Sequence, residues 1–430
     1  MSRRKRSIRK SKTFPSSTIT AISTSIRSKT TPSSKTSANS GLRAITTNGG
    51  RCAFAGWGEE LITGSASWRE KFRAYASVLP KLAGNPLYYW THMELQQVFG
   101  IFEPLSAESA DRIFDAANEK LQNISVSTLL RQYKVEFVAT TDDPCDDLAA
   151  HGKYGNTIVA PTFRPDKLFT LDEGYLQRLG ETAGEDVSTL AGLLKAVEKR
   201  LIYFISRGCR ISDHGFCRFA QYYVTHSTAE KLYLERRSLS EEQKEALFGY
   251  LLVELARLYK KHHIIMQLHF AVTRNINAPM FAKCGADAGF DVIADRSPIQ
   301  NVIQFFGQLS DEERPETIFY TLNDSELPVL ACLTGAFRHV KMGAAWWFND
   351  TVQGIRKNLS TIAEYSALGT NYGMLTDSRS FSSYARFDFF RRILSDYLGS
   401  LVEKGEYDLS AALETAKNIC YYNIKEALQL

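Results

Sequence analysis

Asp377 and Arg379 stand two apart in TDSRS, just behind the apolar residues Tyr372, Met374 and Leu375. A period of two puts both on one side of an extended chain. A carboxylate that can bind a metal or move a proton would then lie beside a guanidinium that can hold an anion. The same two residues could instead form a buried ion pair that closes the fold. Asp213 and His214 adjoin in SDHG, a pairing suited to acid–base work, or equally to a capping aspartate and a satisfied histidine. His269 ends the apolar run of Ile264, Ile265, Met266 and Leu268, where a histidine is either structural or, at the mouth of a barrel, functional. Arg164 in TFRPDK has the planar fork that suits a carboxylate, and Asp166 offers it a local salt bridge instead. Trp346 and Trp347 could wall a sugar or simply anchor a core. Asp142 and Asp143 resemble half a metal site but precede Pro144, where a loop turn is expected. Neither dithiol chemistry nor a serine elbow has support, since the chain has no CxxC and no GxSxG.

These residues share a position: each follows a short apolar run. The runs are VEFVATTDDP (135–144), TIVAPTFRPD (157–166), GCRISDHG (208–215), IIMQLHFAVTRN (264–275), TIFYTLND (317–324), VKMGAAWWFND (340–350) and YGMLTDSRS (372–380). Helical periodicity separates most of them, over 189–204, 241–262 and 352–366, and further helices are expected over 67–82 and 126–132. Ser106 is placed to cap another helix, ahead of AESADRIFDAANEKL. Alternating strands and helices imply a parallel sheet, and a closed (β/α)8 barrel keeps its chemistry at the C-terminal strand ends. A doubly wound open sheet is disfavoured, because no GxGxxG or GxxxxGK[ST] loop follows any strand.

With 430 residues, 44% hydrophobic and 23% charged, the chain can build a large core. No stretch reaches the ~18 uninterrupted apolar residues of a membrane span, so no membrane partner is expected. Seven scattered cysteines suggest neither a disulfide framework nor a cysteine zinc site, and fit a reducing, cytoplasmic compartment. The formal charge of +5 is unevenly placed. Residues 1–57 hold 12 Lys and Arg, 21 Ser and Thr and no acid, so the remainder has 40 basic against 47 acidic residues, a net of −7. That first segment is expected to be disordered, since it cannot bury enough apolar surface to offset its ordering entropy.

GEELITGSASWREKFRAYASVLPKLAGNPLYYWTHMELQQVFGI, TTDDP, APTFRPDK, SDHG, MQLHFAVTRN, VKMGAAWWFNDTVQGI and GMLTDSRSFSSYARFDFFRRIL occur in this order through residues 58–430. Together they resemble the uronate (glucuronate) isomerase family. The resemblance implies a distorted (β/α)8 TIM-type barrel of the amidohydrolase superfamily, with a small helical insertion around 84–132. It also implies interconversion of glucuronate with fructuronate and of galacturonate with tagaturonate, in hexuronate catabolism. By that resemblance Asp377 is base or metal ligand, Arg379 its catalytic partner and Arg164 the clamp for the C6 carboxylate. Asp213, His214, His269, Arg274 and Trp346 then line the hexuronate pocket. A divalent metal such as zinc is implied for an intact member, and a homo-oligomer is compatible.

The departure lies at the start. The family begins with a segment like PIIDYHCHL, whose HxH supplies two metal ligands, and continues with DHYKWRAMR; this chain contains no HxH. It reads FPSSTITAIS over 14–23 and AITTNGGRCA over 44–53. Joining each codon's third base to the first two of the next permits PIIDYHCHL from the first stretch and DHYKWRAMR from the second. Eighteen positions agree in one shifted frame. Residues 1–57 are therefore expected to be an out-of-frame translation of the first barrel strand, and the chain as written to be inactive or poorly folded, its metal in doubt. Rival readings are a basic leader like a mitochondrial transit peptide, a hydrolase or retired enzyme on the same barrel, and a basic-tailed nucleic-acid-binding protein. Nucleic acid is not expected as a partner, since the positive balance is confined to the tail.

Overall fold

The computed structural model describes residues 57–217, 219–286, 288–294, 299–378 and 380–430, with the backbone of Ala21–Ile22. The remainder of residues 1–57, on which the expected disorder falls, and Arg379 lie outside the described residues.

Between the strand Ala21–Ile22 and the rest of the barrel come the helices α1 (Trp68–Val78), α2 (Pro86–Phe99), α3 (Ala110–Leu121) and α4 (Val126–Gln132). Ser67 and Glu70 close a reciprocal capping box on α1. On α2, Asn85 caps a helix with proline in its first turn, and left-handed Gly100 ends it. The helix expected to follow a Ser106 cap starts later, at Ala110 behind Ser109. Ser109 Oγ donates instead to the Pro104 carbonyl, and Ser106 is tied into the same turn through the Ser109 hydroxyl. Phe72, Tyr75, Leu79, Leu95, Phe99, Ile113 and Leu121 form a small core of their own, separate from the main one.

The strands are β1 (Ala21–Ile22), β2 (Phe137–Thr140), β3 (Gly152–Tyr154), β4 (Thr157–Ala160), β5 (Ile211–Gly215), β6 (Ile265–Phe270), β7 (Val272–Thr273), β8 (Val292–Ile293), β9 (Thr317–Thr321) and β10 (Val340–Met342). β1, β2 and β4 pair in parallel, with β3 antiparallel on the far edge of β4. β5, β6, β9 and β10 form a second parallel run. A bridge from Phe163 to Ser212 joins the two: Phe163 N donates to the Ile211 carbonyl, and Asp213 N to that of Phe163. Among the described residues, β7 and β8 pair with each other and with no further strand, around helix α9 (Ala278–Cys284).

Between the strands run α5 (Glu173–Ala183), α6 (Leu190–Ser206), α7 (His226–Leu234), α8 (Glu241–Lys261), α10 (Ile299–Gly307), α11 (Leu327–Ala336) and α12 (Val352–Tyr365). The chain ends with α13 (Ala385–Lys404), α14 (Leu409–Lys417) and α15 (Asn423–Ala427). Strands β2, β5, β6 and β9 are buried on nearly every residue, as parallel strands covered by helices must be. One expected strand is corrected. Residues 372–378 form no strand or bridge among the described residues. They still lie beside β10: Asn371 Nδ2 donates to the Met342 carbonyl at 2.9 Å, and Met374 and Leu375 are buried in the main core. Gly373, at φ +72°, breaks the extended run. The barrel is distorted where its last stave should be. Among the described residues no helix is long and apolar enough to cross a membrane.

Candidate active site at the strand ends

The parallel register sets which side chains meet. Gly215 on β5, His269 on β6 and Tyr320 on β9 lie at one level, with Asp213 two residues below. His269 Nδ1 lies 2.7 Å from Asp213 Oδ1. Arg164, carried by the extension of β4 beyond Phe163, places Nη1 3.1 Å from the other Asp213 oxygen and donates from Nε to Asp166 at 3.2 Å. Burial alone would raise the Asp213 carboxyl, but His269 and Arg164 hold it well below the usual carboxylate range. The two carboxylates in turn raise Arg164 against the lowering effect of its own burial. The side chain of Arg164 is 34% exposed, so part of it remains within reach of a ligand.

His214 goes the other way, as alternation along a strand requires. It is fully buried, with Nδ1 2.8 Å from Asp166 and Nε2 3.1 Å from the Tyr259 hydroxyl on α8. Phe169 and Phe216 pack around its ring. Asp166 also accepts from Gly215 N at 2.9 Å, and its carboxyl lies below the ordinary range: burial would raise it, but the bond to His214 and the charge of Arg164 outweigh that. Asp213 therefore meets His269 and Arg164, whereas His214 supports the loop carrying Arg164 from behind.

Trp346 closes the other side. Its ring packs across His269 with centroids 4.6 Å apart, and its Nε1 donates to Asp377 Oδ2 at 2.7 Å. Asp377 is exposed and left-handed, at φ +39°, an unusual conformation for a residue with a Cβ. Arg274 pairs with Asp291 at 3.2 Å across the β7–β8 excursion and lies over the Trp347 ring, which packs against Trp346. The structure thus joins Arg164, Asp213, His269, Trp346 and Asp377 in one row, with Arg274 at its margin.

Reasoning from sequence missed Tyr320, Tyr259 and Gly343, and weighed Asp166 only as a rival partner for Arg164. Tyr320 occupies the same strand-end place in TIFYTLND as His269 does in MQLH, and that parallel could have found it. Asp143 makes the expected turn, accepting from Cys145 N at 2.9 Å. Asp142 is instead buried, accepting from the Thr140 hydroxyl at 2.6 Å, with His151 Nε2 3.5 Å away. Among the described residues no group of three or more His, Cys, Asp or Glu side chains could hold a metal ion. Among the described residues Trp346 donates to Asp377, which belongs to no group of three or more metal-ligating side chains, so the described residues do not fit a metal.

A parallel α/β barrel with carboxylate, imidazole and guanidinium groups at its C-terminal strand ends defines a barrel enzyme. Residues 51–428 match the Glucuronate isomerase family. A uronate isomerase of Clostridium perfringens is 36% identical over 85% of this chain and 83% of its own length; one from Shouchella clausii is 39% identical over the same shares. The solved uronate isomerase of Thermotoga maritima superposes with a TM-score of 0.91 at 29% identity, covering 100% of this chain and 98% of that one. This chain belongs to the uronate isomerase family, a family of isomerases on an amidohydrolase-type barrel.

Proposed function

We propose that the row from Arg164 to Asp377 is the hexuronate site of an aldose–ketose isomerase, interconverting glucuronate with fructuronate and galacturonate with tagaturonate. The observation that carries the reading is the juxtaposition of Asp213, His269, Trp346 and Asp377 with the partly exposed side chain of Arg164. The open-chain aldose loses its C2 proton to a base, giving an enediol. A proton returns to C1, while the O2 proton leaves and O1 gains one, so no electron acceptor is required. Asp377, exposed and oriented by Trp346, is the base at C2, with Arg379 beside it in sequence. His269, its Nδ1 turned to Asp213, offers Nε2 to the oxygens that exchange protons. Arg164 takes the C6 carboxylate, and Arg274 borders the pocket. No step is routed through a metal, because the described residues supply no ligand set.

The same reading assigns the missing ligands to residues 1–57 as an out-of-frame segment. Ala21–Ile22, inside the stretch whose shifted reading is PIIDYHCHL, runs parallel to β2 at the place of a first barrel strand. Two proteins test the proposal: the chain as written, and one with residues 14–57 replaced by their shifted-frame translation. The restored protein should convert D-glucuronate to the ketose, and the chain as written should not. Turnover by the chain as written would overturn the frame assignment. Inactivity of a folded restored protein toward both glucuronate and galacturonate would overturn the substrate assignment.

A further inference from the structure

We infer that Tyr320 is a positioning residue for His269, and that Gly343 is a glycine so that Tyr320 can take that position; the inference rests on the placement of the hexuronate site given above. Four register-matched positions cross the sheet from β5 to the end of β10: Gly215, His269, Tyr320 and Gly343. The first three are paired in the ladder. The fourth follows the Met342–Phe319 pair, with Gly343 N donating to the Phe319 carbonyl at 2.9 Å. Glycine flanks an imidazole and a phenol.

The rings of His269 and Tyr320 are stacked, 4.4 Å apart and 4° from parallel. On the neighbouring strand, a Cβ at Gly343 would fall within the Tyr320 ring, against Cε1, Cδ1 and Cζ. Neither Gly343 nor Gly215 has a positive φ, so close approach of a side chain, and not backbone conformation, requires glycine at both. At Gly215 the group occupying the space is the Arg164 Nη2. Tyr320 is 4% exposed and wedged between the imidazole and the glycine backbone. It therefore has little room to rotate, and the imidazole cannot tilt toward it. Trp346 limits His269 from another side, and Asp213 fixes which nitrogen faces inward. Holding a proton-transfer group in one plane is worth more than its contact energy, because misdirected rotamers are unproductive. Tyr320 does this through its ring face; its hydroxyl is not required. Burial pushes that hydroxyl far above the usual tyrosine range, with Asp213 and Asp377 adding to the effect, so it is no proton donor to bulk base.

The test uses the full 430-residue chain with ring-¹⁵N histidine. There are eight histidines, and His269→Gln assigns the relevant signals. In the wild-type chain the His269 Nδ1 proton should exchange slowly with water. Tyr320→Phe should leave that rate within about twofold. Tyr320→Leu and Gly343→Ala should each speed it about three- to tenfold, the range expected for losing one aromatic pair. Asp213→Asn should abolish the protected signal. Unchanged exchange in both Tyr320→Leu and Gly343→Ala, with Asp213→Asn still effective, would overturn the role of Tyr320 and leave the Asp213–His269 contact standing. Faster exchange in Tyr320→Phe would overturn the claim that the ring alone acts. A signal indifferent to Asp213→Asn would overturn both the inference and the site geometry beneath it. Gly343→Ala retains the tyrosine, so the inference stays testable if Tyr320→Leu fails to fold. In the restored protein, D-glucuronate should shift the His269 resonances; no shift in any variant marks failure of the site assignment itself.

Discussion

Asp213, His269 and Tyr320 hang from three parallel strands joined by consecutive ladder pairs, and all three are buried. Asp377 hangs from residues 372–378, which form no strand or bridge among the described residues, and it is exposed and left-handed. Both regions contribute to one mouth of the barrel, yet they position a carboxylate by different means. On β5 the backbone fixes Asp213, and the side chains of His269 and Arg164 repay its desolvation. Beyond β10, among the described residues, Trp346 orients Asp377 through a hydrogen bond from its Nε1. The difference teaches that a strand end can hold a buried charge because its neighbours are fixed, whereas a loop end holds an exposed one that solvent already stabilises.

Breaking the β5 half should cost most. Asp213→Ala takes one carboxylate from Arg164, which keeps Asp166, and removes the charge facing His269 Nδ1; because the Arg164 side chain is 34% exposed, the cost falls below that of a fully buried pair, at about 2 kcal/mol. Thermal or urea unfolding should show a loss of that order. The acid limb supplies a second reading of the same contrast. Asp213 and Asp166 titrate lower when folded than when unfolded. Their stabilisation is therefore fully present above the unfolded value of about 3.9 and is lost as the pH falls below it. The wild-type chain should lose stability steeply below about pH 4, and Asp213→Asn should flatten that slope. An unchanged slope would show that these carboxylates are not held as the contacts require.

Trp346→Phe probes the other half. It keeps the ring against His269 but removes the donor to Asp377. Because Asp377 is exposed, stability should change by less than about 1 kcal/mol, while glucuronate turnover by the restored protein should fall about tenfold, as for loss of a charge-assisted hydrogen bond worth about 1.5 kcal/mol. A large fall in stability would mean that the two regions are built alike. The smallest effect belongs to the margin. Asp291→Asn neutralises one partner of Arg274, at 3.2 Å, and with Arg274 exposed the loss should be about 0.5 kcal/mol or less in denaturant unfolding.

Most of the barrel was legible because strand-length apolar runs and helical periodicity report burial directly, and Arg164, Asp213, His269 and Trp346 could be found by their places at strand ends. Three features were not legible. Asp213 and His214 part company, although adjacent, because alternation sends them to opposite sides of β5. Ser106 and Ser109 compete to start the same helix, and a bond to the Pro104 carbonyl engages Ser109 in the turn that sets its start. The last expected strand satisfies every local pattern, yet Gly373 bends it out of the ladder.

The residue types and their order determined the family, through the motifs that run in sequence along residues 58–430, and also the parallel barrel and the acid-free character of residues 1–57, which follow from local periodicity and composition. Tertiary structure alone decided that Arg164 is shared by Asp166 and Asp213, that His214 faces Tyr259, and that Tyr320 lies flat against His269 above Gly343. These contacts join different elements of the fold, across residues as much as 51 apart in sequence for His269 and Tyr320. Register and close approach fix them, and neither is written in the neighbourhood of any one residue.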